Sequence, residues 1–128
     1  MKNNIQLILD LVRDLPQLEL TGSRYFNTAT QSSDWDFMLD CEFEEKIPVD
    51  FVKVSEPSYD GDPLICGVYF SALRDTHIQL LNSYDMPLKR KAQEILYESG
   101  ALCGVSKQQA RRIWNAVIRA LLVDTYTY

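Results

Sequence analysis

Apolar positions in the first fifteen residues recur at helical intervals. Ile5, Ile8, Leu9, Val12 and Leu15 share one stripe, Pro16 stops the pattern, and the spacing predicts a helix over 3–15. Leu18 to Thr21 alternates instead and runs into Gly22-Ser23, as a strand entering a turn does. Residues 24–33 lack strict alternation and predict a short helix and a loop. Asp34-Trp35-Asp36-Phe37-Met38-Leu39 reads as a strand, with Trp35, Phe37 and Leu39 on one face and Asp34 and Asp36 on the other.

The stretch 40–63 resists a periodic reading. An acidic run (Asp40, Glu42, Glu44, Glu45) leads to Pro48, the short apolar piece Phe51–Val54 and a turn-rich segment with Pro57, Gly61 and Pro63. A short helix followed by a mobile loop is expected there. Leu64–Ser71 and Thr76–Asn82 predict an antiparallel hairpin turning near Ala72–Asp75. Asp85 is placed to cap a helix over 86–99, with Leu88, Ala92, Ile95 and Leu96 inward and Gly100 ending it. Ser106-Lys107-Gln108-Gln109 has the form of a capping box, followed by an inner stripe of Ala110, Ile113, Trp114, Val117, Ile118 and Leu121. This order predicts one α+β domain over 1–128: a mixed β-sheet packed against helices, with two helices at its C-terminal end.

Composition narrows the classes. A chain of 128 residues with 46% hydrophobic and 24% charged residues has enough apolar surface for one core, which excludes a disordered tail. No apolar run approaches the roughly 20 residues of a membrane helix, and Asp10 and Asp14 spoil the start as a signal peptide, so no membrane partner is expected. Cys41, Cys66 and Cys103 are odd in number, far apart and without a C-x-x-C pair; they read as reduced, buried thiols of a cytoplasmic protein. Charge is uneven, with 6 basic and 15 acidic residues in 1–86 but 7 basic and 3 acidic in 87–128. Overall acidity excludes a general nucleic-acid coat, whereas the basic C-terminal third reads either as a solvated face or as a place to meet phosphate.

Chemistry concentrates in one segment: Gly22-Ser23, ten residues, then Asp34-Trp35-Asp36. Two carboxylates at i and i+2 on a strand share a face and can hold one or two divalent cations. Magnesium suits them, because it takes oxygen ligands and leaves positions for substrate phosphates. The Gly22-Ser23 turn offers backbone N–H groups and a hydroxyl to those phosphates, and Arg24 adds positive charge. These are parts for metal-assisted phosphoryl chemistry.

The segment T-G-S-R-Y-F-N-T-A-T-Q-S-S-D-W-D-F-M-L resembles the signature of the polymerase-β-like nucleotidyltransferase superfamily, especially its minimal members. The resemblance spans roughly residues 3–82. It implies a nucleotidyltransferase-like fold in which Asp34 and Asp36 bind Mg2+, and Gly22, Ser23 and Arg24 bind a nucleoside triphosphate. It implies transfer of a nucleoside monophosphate to a hydroxyl acceptor on a protein or a nucleic acid. Two features depart from the signature. A second glycine after the Gly-Ser pair is missing, and Asn27, tolerant of left-handed backbone, stands near its place. The third acid of the family falls at His77, the single histidine, whose imidazole could serve as catalytic base or metal ligand. Asp75, two residues earlier and on the same strand face, is the alternative. The resemblance therefore also leaves open a catalytically impaired, nucleotide-binding or interaction module, antitoxin-like or inhibitory. The basic residues Lys89, Arg90, Lys91, Lys107, Arg111 and Arg112 are candidates to meet a triphosphate or to form a solvated face.

Overall fold

A computed structural model describes residues 4–54 and 62–126. Helix α1 spans Asn4–Asp14, β1 Glu19–Thr21, the single turn α2 Gly22–Tyr25 and β2 Trp35–Asp40. After a 3₁₀ turn (Cys41–Lys46) come β3 (Val52–Val54), β4 (Ile65–Ser71) and β5 (Thr76–Leu81). A second 3₁₀ turn, Ser83–Asp85, leads into α3 (Met86–Ser99), and α4 covers Lys107–Tyr126. The architecture is mixed α+β.

Among the described residues the strands form one five-stranded sheet in the order β1-β2-β5-β4-β3. β2 runs parallel to β5, with Asp36 opposite His77, and the other neighbours are antiparallel. Period-2 alternation divides the sheet between two cores. Phe37, Leu39, Ile78 and Leu80 pack with Ile8 and Leu11 of α1 and with Leu15 just after it. Met38 and Leu81 pack on the other side with Met86, Leu88 and Ala92 of α3 and Ile118 of α4. Asp36, His77 and Gln79 alternate with the α1-side residues, so their side chains leave the sheet toward α3 and α4.

Several sequence expectations hold. Trp35, Phe37 and Leu39 share the α1 face. Ser106 and Gln109 form the reciprocal capping box, each backbone N–H meeting the other's side-chain oxygen at 3.1 Å. Gly100 closes α3 in the left-handed conformation at φ +66°. The apolar stripe of α4 faces the core as read, with Ile118 buried and the others packed half-buried against it.

Others are corrected. In α1 and the residue that follows it the buried stripe is Ile8, Leu11 and Leu15, while Ile5, Leu9 and Val12 are exposed. The helix is apolar on most sides, so helical spacing fits two overlapping stripes and only packing selects one. In α3, Ile95 is exposed and the polar Lys89 and Gln93 are buried instead, because each finds a polar partner on the sheet side. Asp85 makes no capping bond, since its backbone is already right-handed helical (φ −91°, ψ −14°) and Pro87 removes one N–H from the first turn. The three thiols are unpaired but not buried: Cys66 and Cys103 are exposed and Cys41 half-buried. Cys66 is the residue left without a partner strand position at the bulge between Ile65 and Gly67 in β4, and Cys103 lies in the α3–α4 loop. In 40–63, the 3₁₀ turn supplies the short helix and Val52–Val54 becomes an edge strand beside β4. The expected mobile loop falls largely outside the described residues. No helix among the described residues is long and apolar enough to cross a membrane.

Candidate metal centre

The centre begins where β1 ends. Thr21 pairs with Asp36 across the β1–β2 ladder, is buried, and gives its hydroxyl to Gln93 Oε1 of α3. Gly22 then turns the chain at φ +73°. A Cβ at this position would lie 2.6 Å from Asp36 Oδ2 and 3.0 Å from Asp36 Cβ. The glycine therefore supplies both the positive φ and the volume that the Asp36 carboxylate fills. Ser23 holds the turn through its carbonyl, which accepts from Thr28 N at 2.9 Å. Between them Asn27 stands at φ +60°, the left-handed conformation expected of it.

Asp34 precedes β2 by one residue rather than opening it. Its position is set by its neighbours: Arg24 donates to the carbonyls of Ser33 and Asp34, and the Arg24 guanidinium lies 4.2 Å from the centre of the Trp35 ring. Trp35 N donates to the Asp75 carbonyl at 3.0 Å, tying the start of β2 to the β4–β5 turn. Arg24 thus braces the loop before Asp34 and does not line the cleft described below, unlike Gly22 and Ser23.

His77 Nδ1 lies 3.0 Å from Asp34 Oδ2 and 3.4 Å from Asp36 Oδ1. Ligand atoms of the three side chains all fall within 4.8 Å of one another, a spacing that one metal ion could bridge. Burial first, then Asp36 and Asp75, raises the Asp34 carboxyl above its usual range against the opposing pull of His77 and Lys107. Burial opposes the charged His77 ring, but Asp36 and then Asp34 outweigh it and hold the imidazole above its ordinary value. Mutual repulsion of the two acids and their attraction for a positive neighbour are the electrostatics of a cation site. The third position of the cluster is filled by His77; Asp75 sits in the turn at φ +51°, exposed, and lines the cleft without joining the cluster.

Asp34 and Asp36 of the cluster line a cleft of about 640 Å³ that α4 also borders, whereas His77 is not part of its lining. Gly22, Ser23, Asp34 and Asp36 form one wall, and Lys107 and Arg111 the other. No family model matches this chain, and no curated protein or solved structure matches it significantly.

Deeper in the cleft lies Lys89, one of the basic candidates, in a buried polar group with Asp62 that the sequence did not reveal. Lys89, with 2% of its side chain exposed, donates to Gln79 Oε1 at 2.6 Å and to Asp62 Oδ2 at 3.4 Å. Asp62 also accepts from Trp114 Nε1 at 2.7 Å and from Leu64 N at 2.9 Å. Burial pulls the Lys89 amine below its ordinary value, and Asp62 opposes that pull. The one available signal was that residue 89 falls on the inner stripe of α3, three positions after Met86 and four before Gln93. Of the other basic candidates, Arg90 pairs with Glu19 away from the cleft, and Lys91 and Arg112 are exposed.

Proposed function

We propose that this chain is a metal-dependent nucleotidyltransferase that moves a nucleoside monophosphate from a nucleoside triphosphate to a hydroxyl acceptor. The acceptor oxygen attacks the α-phosphorus, the bond from that phosphorus to the α–β bridging oxygen breaks, and pyrophosphate leaves. Asp34 and Asp36 are the ligands for Mg2+ or a similar ion, with His77 beside them. A bound divalent ion neutralises charge on the phosphates and polarises the phosphorus. Gly22 and Ser23 hold the phosphates against the acids, and Lys107 and Arg111 face them from α4 with charge for the leaving pyrophosphate. The proton of the attacking hydroxyl passes to Asp75, which lines the same cleft, or to solvent. Exposed, unpaired Cys66 and Cys103 suit a reducing, cytoplasmic setting.

The observation that carries the reading is the packing of Gly22 on Asp36, which makes the turn and the acid one unit. Gly-Ser and D-x-D are the two halves of the signature that the sequence resembles, and here they touch. The test is transfer of label from α-labelled triphosphates in the presence of Mg2+ or Mn2+, with Asp36→Asn as control. Incorporation that is abolished by Asp36→Asn supports the reading, and incorporation that survives it sinks the assignment.

A second reading rests on His77. Its ring contacts both acids where the resembled family has a third carboxylate, which favours a chain that binds nucleotide without transferring it. Calorimetry with triphosphate and metal separates the two, since binding without turnover selects the second.

A further inference from the structure

The donor set at the cluster is two carboxylates and one imidazole, and this composition bears on which ion is held. Magnesium demands near-octahedral oxygen coordination and loses its waters reluctantly, whereas imidazole nitrogen suits later first-row transition ions such as iron, nickel and zinc. Neither neighbouring acid replaces the nitrogen. Asp75 is an exposed turn residue outside the cluster, and Asp62 is occupied by Leu64 N, Trp114 Nε1 and Lys89. His77 is also held in place: it pairs with Asp36 in the β2–β5 register, and its ring lies 4.6 Å from that of Phe70. Nδ1 therefore points at the acids as a fixed donor, and Asp36 Oδ1, shut off from solvent, points back at it.

We propose that this centre takes a first-row transition ion, with manganese as the spectroscopic probe, in preference to magnesium, with His77 Nδ1 as a direct ligand beside Asp34 and Asp36. The proposal rests on the reading of the cluster as a metal site and adds the identity of its third donor. It gives His77 a ligand's role instead of a base's.

The test is electron paramagnetic resonance of Mn2+ titrated into the full-length chain, followed by spin-echo modulation and competition with Mg2+. The expected result is one bound Mn2+ with nitrogen modulation from a directly coordinated imidazole. Mg2+ should displace it only at a concentration at least about tenfold higher. His77→Asp, which restores an all-oxygen set, should remove the modulation and narrow the gap between the two ions. The modulation is read on the unsubstituted chain, so the result does not depend on a variant folding. Bound Mn2+ without nitrogen modulation, or displacement by Mg2+ at equal concentration, overturns the proposal and leaves the metal-site reading standing. No binding of either ion overturns both.

Discussion

Replacing Gly22 with alanine tests the unit on which the centre is built. At φ +73° an L-residue carries about 1–2 kcal/mol of left-handed strain. The new methyl would also lie 3.0 Å from Asp36 Cβ, an atom fixed to β2 that cannot swing aside as the carboxylate can. Driving Asp36 off its rotamer adds roughly 0.5–1.5 kcal/mol. The expected loss is about 1.5–3.5 kcal/mol, a fall in Tm of about 6–14 °C for a chain of this length. Gly100→Ala is the comparator, because its φ is +66° but a Cβ there meets nothing within 4 Å. It should show the backbone part alone and leave Mn2+ binding unchanged. Thermal and urea unfolding by circular dichroism give the stabilities, and Mn2+ titration gives the site. Gly22→Ala should lose more stability than Gly100→Ala and bind Mn2+ at least about tenfold more weakly, since the displaced group is a proposed ligand. Equal losses for the two variants with unchanged Mn2+ affinity would refute the reasoning.

Three further outcomes follow from the packing. Asp62→Ala leaves the Lys89 amine buried with Gln79 alone and should cost about 3–5 kcal/mol in urea unfolding; a loss under about 1 kcal/mol would show that the pair is not a buried charge pair. Burial pushes the Asp50 carboxyl up, but hydrogen bonds from Arg74 and Ser71 outweigh it and hold it below the usual carboxylate value. Its folded form resists protonation more than its unfolded form, so its stabilisation is present above the ordinary carboxylate pKa and lost as pH falls through the lower folded value. Urea midpoints taken from about pH 5 down to about pH 3 should therefore fall more steeply for the natural chain than for Asp50→Asn, and parallel curves would contradict this. Ser106→Ala removes the oxygen that receives Gln109 N and should cost about 0.5–2 kcal/mol by thermal unfolding, with an unchanged Tm counting against the cap.

Legibility in the sequence followed the range of the interactions. Alternation in Trp35–Leu39 and the Ser106–Gln109 box are local patterns with local causes, and both were read correctly. Asp34 and Asp36 could be placed on one side because two-residue spacing dictates it. That Asp36 fills the space left by Gly22 was not readable, since the contact runs across the β1–β2 ladder. The burial of Lys89 against Asp62 was hidden for the same reason. A lysine in a helix reads as solvated until a partner 27 positions away is known to sit under it. In α1 the failure was of another kind, as an excess of apolar residues left the direction of the helix undetermined.

The parallel pairing of β2 with β5 joins Asp36 to a histidine about 40 positions further along the chain, so a long loop of chain must close for the two to meet. In the unfolded chain these donors are strangers, and an ion has no reason to favour them over bulk water. An ion held there as proposed would favour the native state over the unfolded one, and the stabilisation it adds would grow with the logarithm of ion concentration.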